Sequence, residues 1–500
     1  MAHGLGIDIG STNVKVAIVA EDATVVAAAV RPLATITSGE VAEQDAAAMW
    51  DAVVAAIAEV TAAASAEAAD IETIGVASQY SSIIPVDSTG EPVGPTLMYF
   101  DTRGSDRCWA IMERHPDAFE TWIEHHGIPP VGAGLSLGHM LHLQLDRPDI
   151  HERTAAYLEP MDYVTFRLTG RMAATQCTMF TSQLLDNRTV GATAYDDDLV
   201  AMSGVDRSRL PPLVEVDGVV GGLGTAVATQ LGLRAGIEVR AGMNDSHASA
   251  FATGAFEDGR VGLMIGTTAV LLDVVTHHAI DLDHEIVSMP APVMDRYLVW
   301  AENGVAGRSV DHTVSELLGG GFEELTPSLE ASPPGAGGAL FLPWMAGSMS
   351  PAANRSMRGG FLNVSFETTR QDLIRATVEG TARNLRWLLP WVEAFSGHPT
   401  REITFGGGAA RSPGWAQVIA DVLGHPVAVL DQPGLAAATA AGSVALRRHL
   451  GRDPVDVGLP VASRHDPDPT TAAVHDELQG AFEAAFEANR AICEALNPVL

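Results

Sequence analysis

Lysine is almost absent from this chain. Of its 30 cationic side chains one is a lysine, Lys15, and the others are arginines. Acidic residues outnumber cationic ones by 62 to 30, which gives a formal net charge of −32. A surface this acidic disfavours nucleic-acid backbones and anionic membranes as partners. An anionic substrate would therefore need its own local patch of hydrogen-bond donors.

Cysteine is also scarce. Cys108, Cys177 and Cys493 lie far apart and form no CxxC pair, which argues against a zinc framework and is typical of a reducing compartment. No basic N-terminal segment precedes an apolar run, so no signal peptide is expected. No uncharged apolar stretch reaches the roughly 18 residues of a membrane span. We therefore expect a cytoplasmic protein without a membrane partner.

One nucleotide-binding signature is missing. The sequence contains no GxxxxGK[ST], which argues against a P-loop nucleotide site. FGGGAA, residues 405–410, resembles a dinucleotide fingerprint, but Arg411 stands where the third glycine should be. This glycine-rich turn is equally compatible with an adenine ring that approaches the backbone.

The remaining composition is that of an ordinary globular protein. The chain has 500 residues, of which 47% are hydrophobic and 18% charged, so it should divide into two or more domains. Residues 4–32 alternate like a strand meander, and a helix near 43–64 precedes a strand at 71–78. Mixed strands followed by helices indicate an α/β architecture. We place the domains at residues 1–250 and 251–500.

One stretch has an echo in the second half of the chain. IDIGSTNVKVAIV, residues 7–19, is matched by LMIGTTAVLLDVV, residues 263–275, with Gly10 over Gly266 and Thr12 over Thr268. Coincidence stays an alternative, because hairpins often use such turns. A repeat at half the chain length otherwise predicts two domains of related plan, with a seam near 240–260.

The two glycine turns are candidate phosphate sites. A tight hairpin tip presents backbone N–H groups on one side, and such a concavity holds phosphate oxygens. Ser11, Thr12, Thr267 and Thr268 add hydroxyl groups. If the domains face each other, both tips can hold one polyphosphate, and Lys15 would supply a compact positive charge nearby.

Asp8 precedes the first turn in an otherwise apolar run. A carboxylate there is costly to bury unless it is paired or holds a cation. One interpretation is an edge-strand aspartate in a salt bridge with Lys15. The other is a ligand, through water, for magnesium carried on the phosphates.

Asp245 lies in AGMNDSHASAF, between a strand-like segment and an alanine-rich helical segment. Asn244 or Asp245 can be simply the N-cap of that helix. Alternatively, Asp245 is a base at the mouth of the cleft that accepts the proton of a substrate hydroxyl. Further along, Ser412 and Pro413 are favourable N-cap and first-turn residues for a helix up to about residue 424.

Together these stretches resemble the FGGY family of carbohydrate kinases over roughly residues 4–450. The matching segments are GIDIGSTNVKVAIV, EQDAAAMW, GVASQYSSIIPVDSTGEPVGPTLMYFDTRG, PMDYVTFRLTG, AGMNDSHASAFATGAF, the IGTT turn, RATVEGTARNL and FGGGAARSPGWAQVIADVLGHPV. The resemblance implies two ribonuclease H-like domains of the actin/hexokinase superfamily around an interdomain cleft that binds ATP, Mg²⁺ and a sugar or polyol.

The resemblance and the residue patterns give one set of candidate site residues. Asp245 is the expected catalytic base, and Asp8 and Asp245 are the expected metal-site residues. The expected nucleotide contacts are Gly10, Ser11, Thr12, Asn13, Lys15, Gly266, Thr267, Thr268, Gly307, Gly407, Gly408, Ala409 and Ser412. The expected substrate contacts are Gln79, Tyr80, Ser81, Asp101, Arg103 and Asn244.

The expected activity is ATP-dependent phosphorylation of a pentulose, as in the xylulose-specific branch of the family. Asp101 and Arg103 suit that branch, whereas Gln79-Tyr80-Ser81 departs from its usual Gln-Met-His. His139 and His142 replace a usual Lys and Trp. Ribulose, erythritol and glycerol stay open as substrates, as do a catalytically silent sugar sensor and a homodimer.

Overall fold

The N-terminal meander predicted from the sequence forms the centre of the first sheet in a computed structural model, which describes residues 1–498. β1 (His3–Ile9) pairs antiparallel with β2 (Asn13–Val19), and β2 pairs with β3 (Val25–Pro32). On its other side β1 pairs in parallel with β6 (Ile71–Ser78). Every residue of β1 is buried, as expected for a strand flanked on both sides.

The first half of the chain continues with short strands and helices. The remaining strands are β4 (Ile36–Ser38), β5 (Val41–Gln44), β7 (Ile84–Val86), β8 (Thr96–Leu97), β9 (Ala156–Leu158), β10 (Ala174–Thr175), β11 (Leu213–Val214), β12 (Val219–Gly222), β13 (Glu238–Arg240) and β14 (Met243–Asn244). The helices are α1 (Ala46–Ala63), α2 (Ser65–Ala69), α3 (Ser105–Arg114), α4 (Ala118–His125), α5 (Ser136–Asp146), α6 (Pro148–His151), α7 (Pro160–Thr169), α8 (Asp197–Ser203), α9 (Thr225–Leu231) and α10 (Asp245–Thr253).

The second half repeats this plan. β15 (Arg260–Ile265) pairs antiparallel with β16 (Thr268–Val275) and in parallel with β22 (Glu402–Gly406). The first half pairs β1 with β2 and β6 in the same way. The internal repeat predicted from the two glycine turns is therefore confirmed at the level of strand pairing.

The second half contains fewer, longer elements. Its other strands are β17 (Ile280–Asp281), β18 (Ile286–Pro290), β19 (Tyr297–Val305), β20 (Leu340–Leu342), β21 (Gly360–Leu362), β23 (Val427–Leu430) and β24 (Val461–His465). Its helices are α11 (Gly307–His312), α12 (Leu325–Ala331), α13 (Arg370–Ser396), α14 (Pro413–Leu423), α15 (Ala436–His449) and α16 (Ala472–Leu496).

Two large mixed sheets organise the molecule. The first has the order β12-β13-β6-β1-β2-β3 with β14 beside β6, and the second has the order β17-β18-β19-β16-β15-β22-β23-β24. Each sheet has its own apolar core, the first covered by α1 and α7 and the second by α13 and α14. The predicted α/β class is confirmed.

Glycines let α15, from the second half, pack directly on the first sheet. A Cβ atom built on Gly6 would lie 1.8 Å from the carbonyl oxygen of Ala438, and one on Gly75 would lie 2.1 Å from that of Ala441. Both distances are below any real contact, so only glycine permits this approach. α10 packs on α15 in turn, which places Asp245 at the seam between the halves.

Capping residues set several helix boundaries. Asp45 caps α1, accepting from Ala47 N–H at 2.8 Å, so the helix predicted near 43–64 begins at Ala46. Within residues 1–498, α1 alone has the length and apolar composition of a membrane span, and its buried face packs on β2 and β3.

Candidate active site

The two glycine turns lie at equivalent ends of the two sheets. Gly10 N–H donates to Asn13 O at 2.9 Å, and Gly266 N–H donates to Thr268 O at 2.9 Å. Thr12, Gly266 and Thr267 are exposed although the strands behind them are buried. Each tip therefore exposes turn residues where a ligand can reach them, although the N–H group of its glycine is used within the turn.

The only lysine of the chain forms an ion pair with Asp8. The two residues lie opposite each other in the β1–β2 register, and Lys15 Nζ lies 3.1 Å from Asp8 Oδ2. Asp8 is 4% exposed. The predicted salt bridge is confirmed, but its placement on an edge strand is wrong, because β1 lies between β2 and β6. The pair therefore lies at the base of the first glycine tip.

Asp245 is the first residue of α10, and Asn244 is the N-cap. The Asn244 side chain accepts from His247 N–H at 2.8 Å, which leaves the Asp245 carboxylate free of the capping role. Burial, followed by the nearby negative charge of Asp8, raises the pKa of Asp245 to about 7. The Ser246 N–H and the Lys15 ammonium act in the opposite direction. Asp8, Lys15 and Asp245 thus form one interacting group.

A chain of hydrogen bonds holds the side chain of Gln79, a predicted substrate contact, in place. Its Nε2 donates to Gln44 Oε1 at 3.1 Å, and Gln44 Nε2 donates to Ser11 O at 2.7 Å in the first tip. Buried Gln79 Oε1 and Asn244 Nδ2 have no partner among residues 1–498. Buried polar groups are normally paired, so these two atoms are available to a polar ligand.

Asp101 and Arg103 form a closed network. Arg103 donates through Nη2 to Glu43 Oε1 at 2.7 Å and to Asp101 Oδ2 at 2.6 Å, and Ala42 N–H donates to Asp101 Oδ2 at 2.9 Å. Although burial works against the charged form, these bonds hold the pKa of Asp101 below its usual value. Asp101 is completely buried. These hydrogen bonds hold residues 101–103 against β5.

Tyr80 and Ser81 lie beside this network. Tyr80 Oη is 3.4 Å from Ser246 Oγ on α10, and burial, then the charge of Asp245, raises the pKa of Tyr80. Ser81 has a left-handed backbone, with φ of 56°, and its carbonyl oxygen is 3.2 Å from His139 Nε2. The predicted substrate segment therefore contacts α10, the helix that begins at Asp245, through Tyr80.

The sequence patterns did not predict two carboxyl groups around the cleft, the buried Glu159 and the half-buried Glu302. Burial raises the pKa of Glu302, on β19, to about 7, and its charge acts on Tyr80 and Tyr99 of the first half. Burial also raises the pKa of Glu159 to about 8, and Glu159 Oε2 accepts from Ser82 N–H at 3.0 Å. The residues that each of them contacts or acts on lie far away in sequence, so no local sequence pattern could have predicted their role.

A second-half pocket adjoins the second tip. It has a volume of about 160 Å³, and four predicted nucleotide contacts line it: Gly266, Gly307, Gly408 and Ala409. Sequence reasoning missed its opposite wall, which consists of residues around 310–325 together with Arg411 and Trp415. The Arg411 guanidinium lies 5.2 Å from the ring centroid of Phe322 across this pocket.

Close backbone contacts join this pocket to the tip. A Cβ atom on Gly307 would lie 2.0 Å from Gly266 O, and one on Gly407, with φ of 86°, would lie 2.5 Å from Ile265 O. Thr267 O accepts from Ala306 N–H at 3.0 Å. Ser412 does not line the pocket. It is the predicted N-cap of α14 and accepts from Trp415 N–H.

Two lobes of one plan, each with a glycine tip, and a carboxyl group with a raised pKa beside the first tip are compatible with phosphoryl transfer. The chain belongs to the FGGY family of carbohydrate kinases. The N-terminal domain of that family matches residues 4–252, and the C-terminal domain matches residues 246–447. The resemblance stated from the sequence is confirmed, and so is the two-domain fold.

Individual relatives agree with this assignment. The chain is 27% identical to a xylulose kinase of Bacillus subtilis (strain 168) over 449 residues, which covers 88% of each chain. It is 24% identical to a gluconokinase of the same strain, over 86% of this chain and 84% of the relative. The crystal structure of a xylulose kinase from Brucella ovis superposes with a TM-score of 0.87 at 24% identity, covering 98% of this chain and 100% of the other.

Proposed function

We propose that this carbohydrate kinase transfers the terminal phosphoryl group of ATP to a hydroxyl group of a pentulose, with xylulose as the first candidate. The observation that carries the proposal is the placement of Asp245: a carboxyl group with a pKa near 7, beside Asp8 and Lys15 and at the foot of a phosphate tip. A base with such a pKa is matched to proton transfer near neutral pH.

The residues divide the work by position. The tips at Gly10–Asn13 and Gly266–Thr268 hold the phosphates through backbone N–H and hydroxyl groups. Lys15 offsets phosphate charge, and Asp245 orients the substrate hydroxyl and accepts its proton. Positioning and charge stabilisation supply most of the rate enhancement in phosphoryl transfer. The pocket beside Gly307, Gly408 and Ala409 is proposed to hold the adenosine.

The donor set fits a magnesium ion. Asp8 and Asp245 place two carboxyl groups close enough for the charge of one to raise the pKa of the other, and a hard divalent cation relieves such repulsion. We propose that these two residues hold Mg²⁺. When bound, the ion supplies positive charge to the phosphate oxygens.

The substrate is proposed to lie against the first half. Gln79 Oε1 and Asn244 Nδ2 are the buried polar atoms without partners there, and sugar hydroxyl groups pair with both kinds of atom. Tyr80 and Ser81 would form the adjacent wall. We propose that Asp101 is not free to bind substrate directly, because its hydrogen-bonding capacity is used by Arg103 and Ala42.

The choice of a pentulose rests on two supports. The relative described above as a xylulose kinase matches nearly the whole chain, and the Asp101–Arg103 pair resembles that branch. We further propose a cytoplasmic location, in keeping with three free cysteines, and a domain boundary near residue 250.

A coupled ADP-release assay over a sugar panel tests the proposal. The panel holds xylulose, ribulose, erythritol, glycerol and gluconate, with a sugar-free reaction as the control. We expect the highest kcat/KM with xylulose and negligible release without sugar. Turnover with gluconate or a polyol alone would reject the pentulose. Sugar binding without ADP release would instead indicate a silent sensor.

A further inference from the structure

Three arginines line a second pocket, which shares no lining residue with the first. This cavity of about 330 Å³ is lined by Arg240, Arg448 and Arg452, with Asp217 as its single lining carboxylate, and by the loop residues Val293 and Met294. We call it the arginine pocket. The lining itself thus holds three cations and one carboxylate, although acidic side chains outnumber cationic ones by 62 to 30 in the chain.

The arginine pocket lies between the two halves of the molecule. Asp217 precedes β12, and Arg240 ends β13 of the first sheet. Arg448 lies in the last turn of α15, and Arg452 follows that helix. A ligand in this pocket would therefore contact both domains at the seam that α15 forms.

Two of the three guanidinium groups already have carboxylate partners. Arg240 Nε lies 2.8 Å from Glu238 Oε1, and Arg452 Nη2 lies 3.0 Å from Glu21 Oε2. Arg240 Nη1 also donates to Asp217 O at 2.9 Å. These contacts fix both side chains in place without closing the cavity.

Arg448 is different, because it forms no ion pair among residues 1–498. Its Nη2 donates a hydrogen bond to the carbonyl oxygen of Pro292. Burial lowers the pKa of Arg448 to about 10, Arg240 acts in the same direction, and the carboxylates of Asp217 and Asp453 oppose both. A partly buried cation that faces a second cation gains when an anion is bound between them.

A purely structural role is the competing explanation. Cations at a helix C-terminus interact favourably with the helix dipole, and Arg448 could serve only that purpose. However, Arg447 and His449 occupy the same turn of α15, and the dipole does not require three guanidinium groups around one cavity.

We propose that the arginine pocket binds the phosphate group of a small phosphorylated metabolite. Guanidinium groups match phosphate oxygens with paired N–H donors. The cavity volume lies at the lower end of the range for small-molecule sites and leaves room beyond the phosphate itself. This proposal does not depend on the identity of the sugar phosphorylated at the cleft.

Calorimetric titration of the full chain with inorganic phosphate and with glucose 6-phosphate tests the proposal, against sodium chloride at matched ionic strength. The variants are Arg448→Gln and the more exposed Arg452→Gln, so that a folding defect in the first leaves the second informative. Arg464→Gln, on β24, is the matched control. Lys15→Gln removes the cation of the catalytic cleft.

We expect binding in the wild type, a loss of roughly tenfold or more in affinity in either pocket variant, as for a lost hydrogen bond to a charged group, and unchanged affinity in Arg464→Gln and Lys15→Gln. Tighter binding of glucose 6-phosphate than of phosphate would identify a phosphorylated sugar as the source, and equal binding would identify free phosphate. No binding of either at millimolar concentration, or a loss confined to Lys15→Gln, would overturn the proposal.

Discussion

Asp245 and Asp8 show how two neighbouring carboxyl groups acquire different properties. Asp8 is buried but compensated by Lys15 at 3.1 Å. Asp245 has no ion-pair partner among residues 1–498, and burial together with the charge of Asp8 raises its pKa to about 7. The Asp8 carboxylate is therefore paired with a cation, whereas the raised pKa of Asp245 suits a group that takes up a proton.

This pairing predicts the pH dependence of the rate. Asp245 must be deprotonated to act as a base, so kcat/KM should rise with pH through about 7. In Asp8→Asn the like charge is removed and Lys15 is released, and both changes lower the pKa of Asp245. The pH midpoint of the rise in kcat/KM should therefore be lower in Asp8→Asn than in the wild type, in addition to any loss of rate. Profiles of kcat/KM against pH measure it.

Glu302→Gln is the matched control for this profile. Burial gives Glu302 a similarly raised pKa, but its charge is not among the main causes of the raised pKa of Asp245. The midpoint should stay near 7 in this variant. A midpoint that moves in Glu302→Gln and not in Asp8→Asn would assign the ionisation to Glu302 instead.

Among the elements, the β15–β16 hairpin joins the second glycine tip to the pocket beside Gly307. β15 and β16 end in the second tip, and Gly307 at the start of α11 packs on the carbonyl group of Gly266. The pocket beside Gly307 and the second tip are thus in direct backbone contact. Motion of α11 would displace the tip.

Gly307→Ala tests this coupling. The added methyl group would lie 2.0 Å from Gly266 O, so the tip must shift, and overpacking of this kind costs about 1–3 kcal/mol. We expect ATP affinity to fall roughly tenfold or more while sugar affinity is preserved, as measured by calorimetry. Gly480→Ala, whose methyl group meets nothing within 4 Å, should bind ATP normally. Unchanged affinity in Gly307→Ala would refute the coupling.

Local signals predicted the elements well. The turn at Gly10, the N-cap at Ser412 and the repeat around Gly266 depend on residues close in sequence, and the structure contains all three. The wall of the nucleotide pocket near residues 310–325 was not predicted, because tertiary packing brings it to the second tip. Glu302 was missed for the same reason: the groups it acts on, Tyr80 and Tyr99, lie in the other half.

At the scale of the whole molecule, α15 is the element that holds the halves together. It belongs to the second half in sequence, yet it packs on β1 and β6 of the first sheet through glycines. Asp8 is on β1 and Asp245 begins α10, which packs on α15. The relative position of these two carboxyl groups therefore depends on this seam.

Gly75→Ala tests the seam. A methyl group there would lie 2.1 Å from Ala441 O, so α15 must move away from β6, and we expect a loss of about 1–3 kcal/mol in the free energy of unfolding. Urea denaturation measures it. Gly434→Ala, which is exposed and meets nothing within 4 Å, should be neutral. Equal stability of the two variants would show that the seam tolerates a wider spacing.

The most direct test of the account is the turnover of Asp245→Asn with its preferred sugar, measured together with ATP affinity. Asparagine keeps the shape of the side chain but cannot accept the proton of the attacking hydroxyl. The account predicts a fall in kcat of roughly 10²-fold or more, the scale of lost general-base catalysis, with ATP affinity retained. Turnover near the wild-type rate would contradict it.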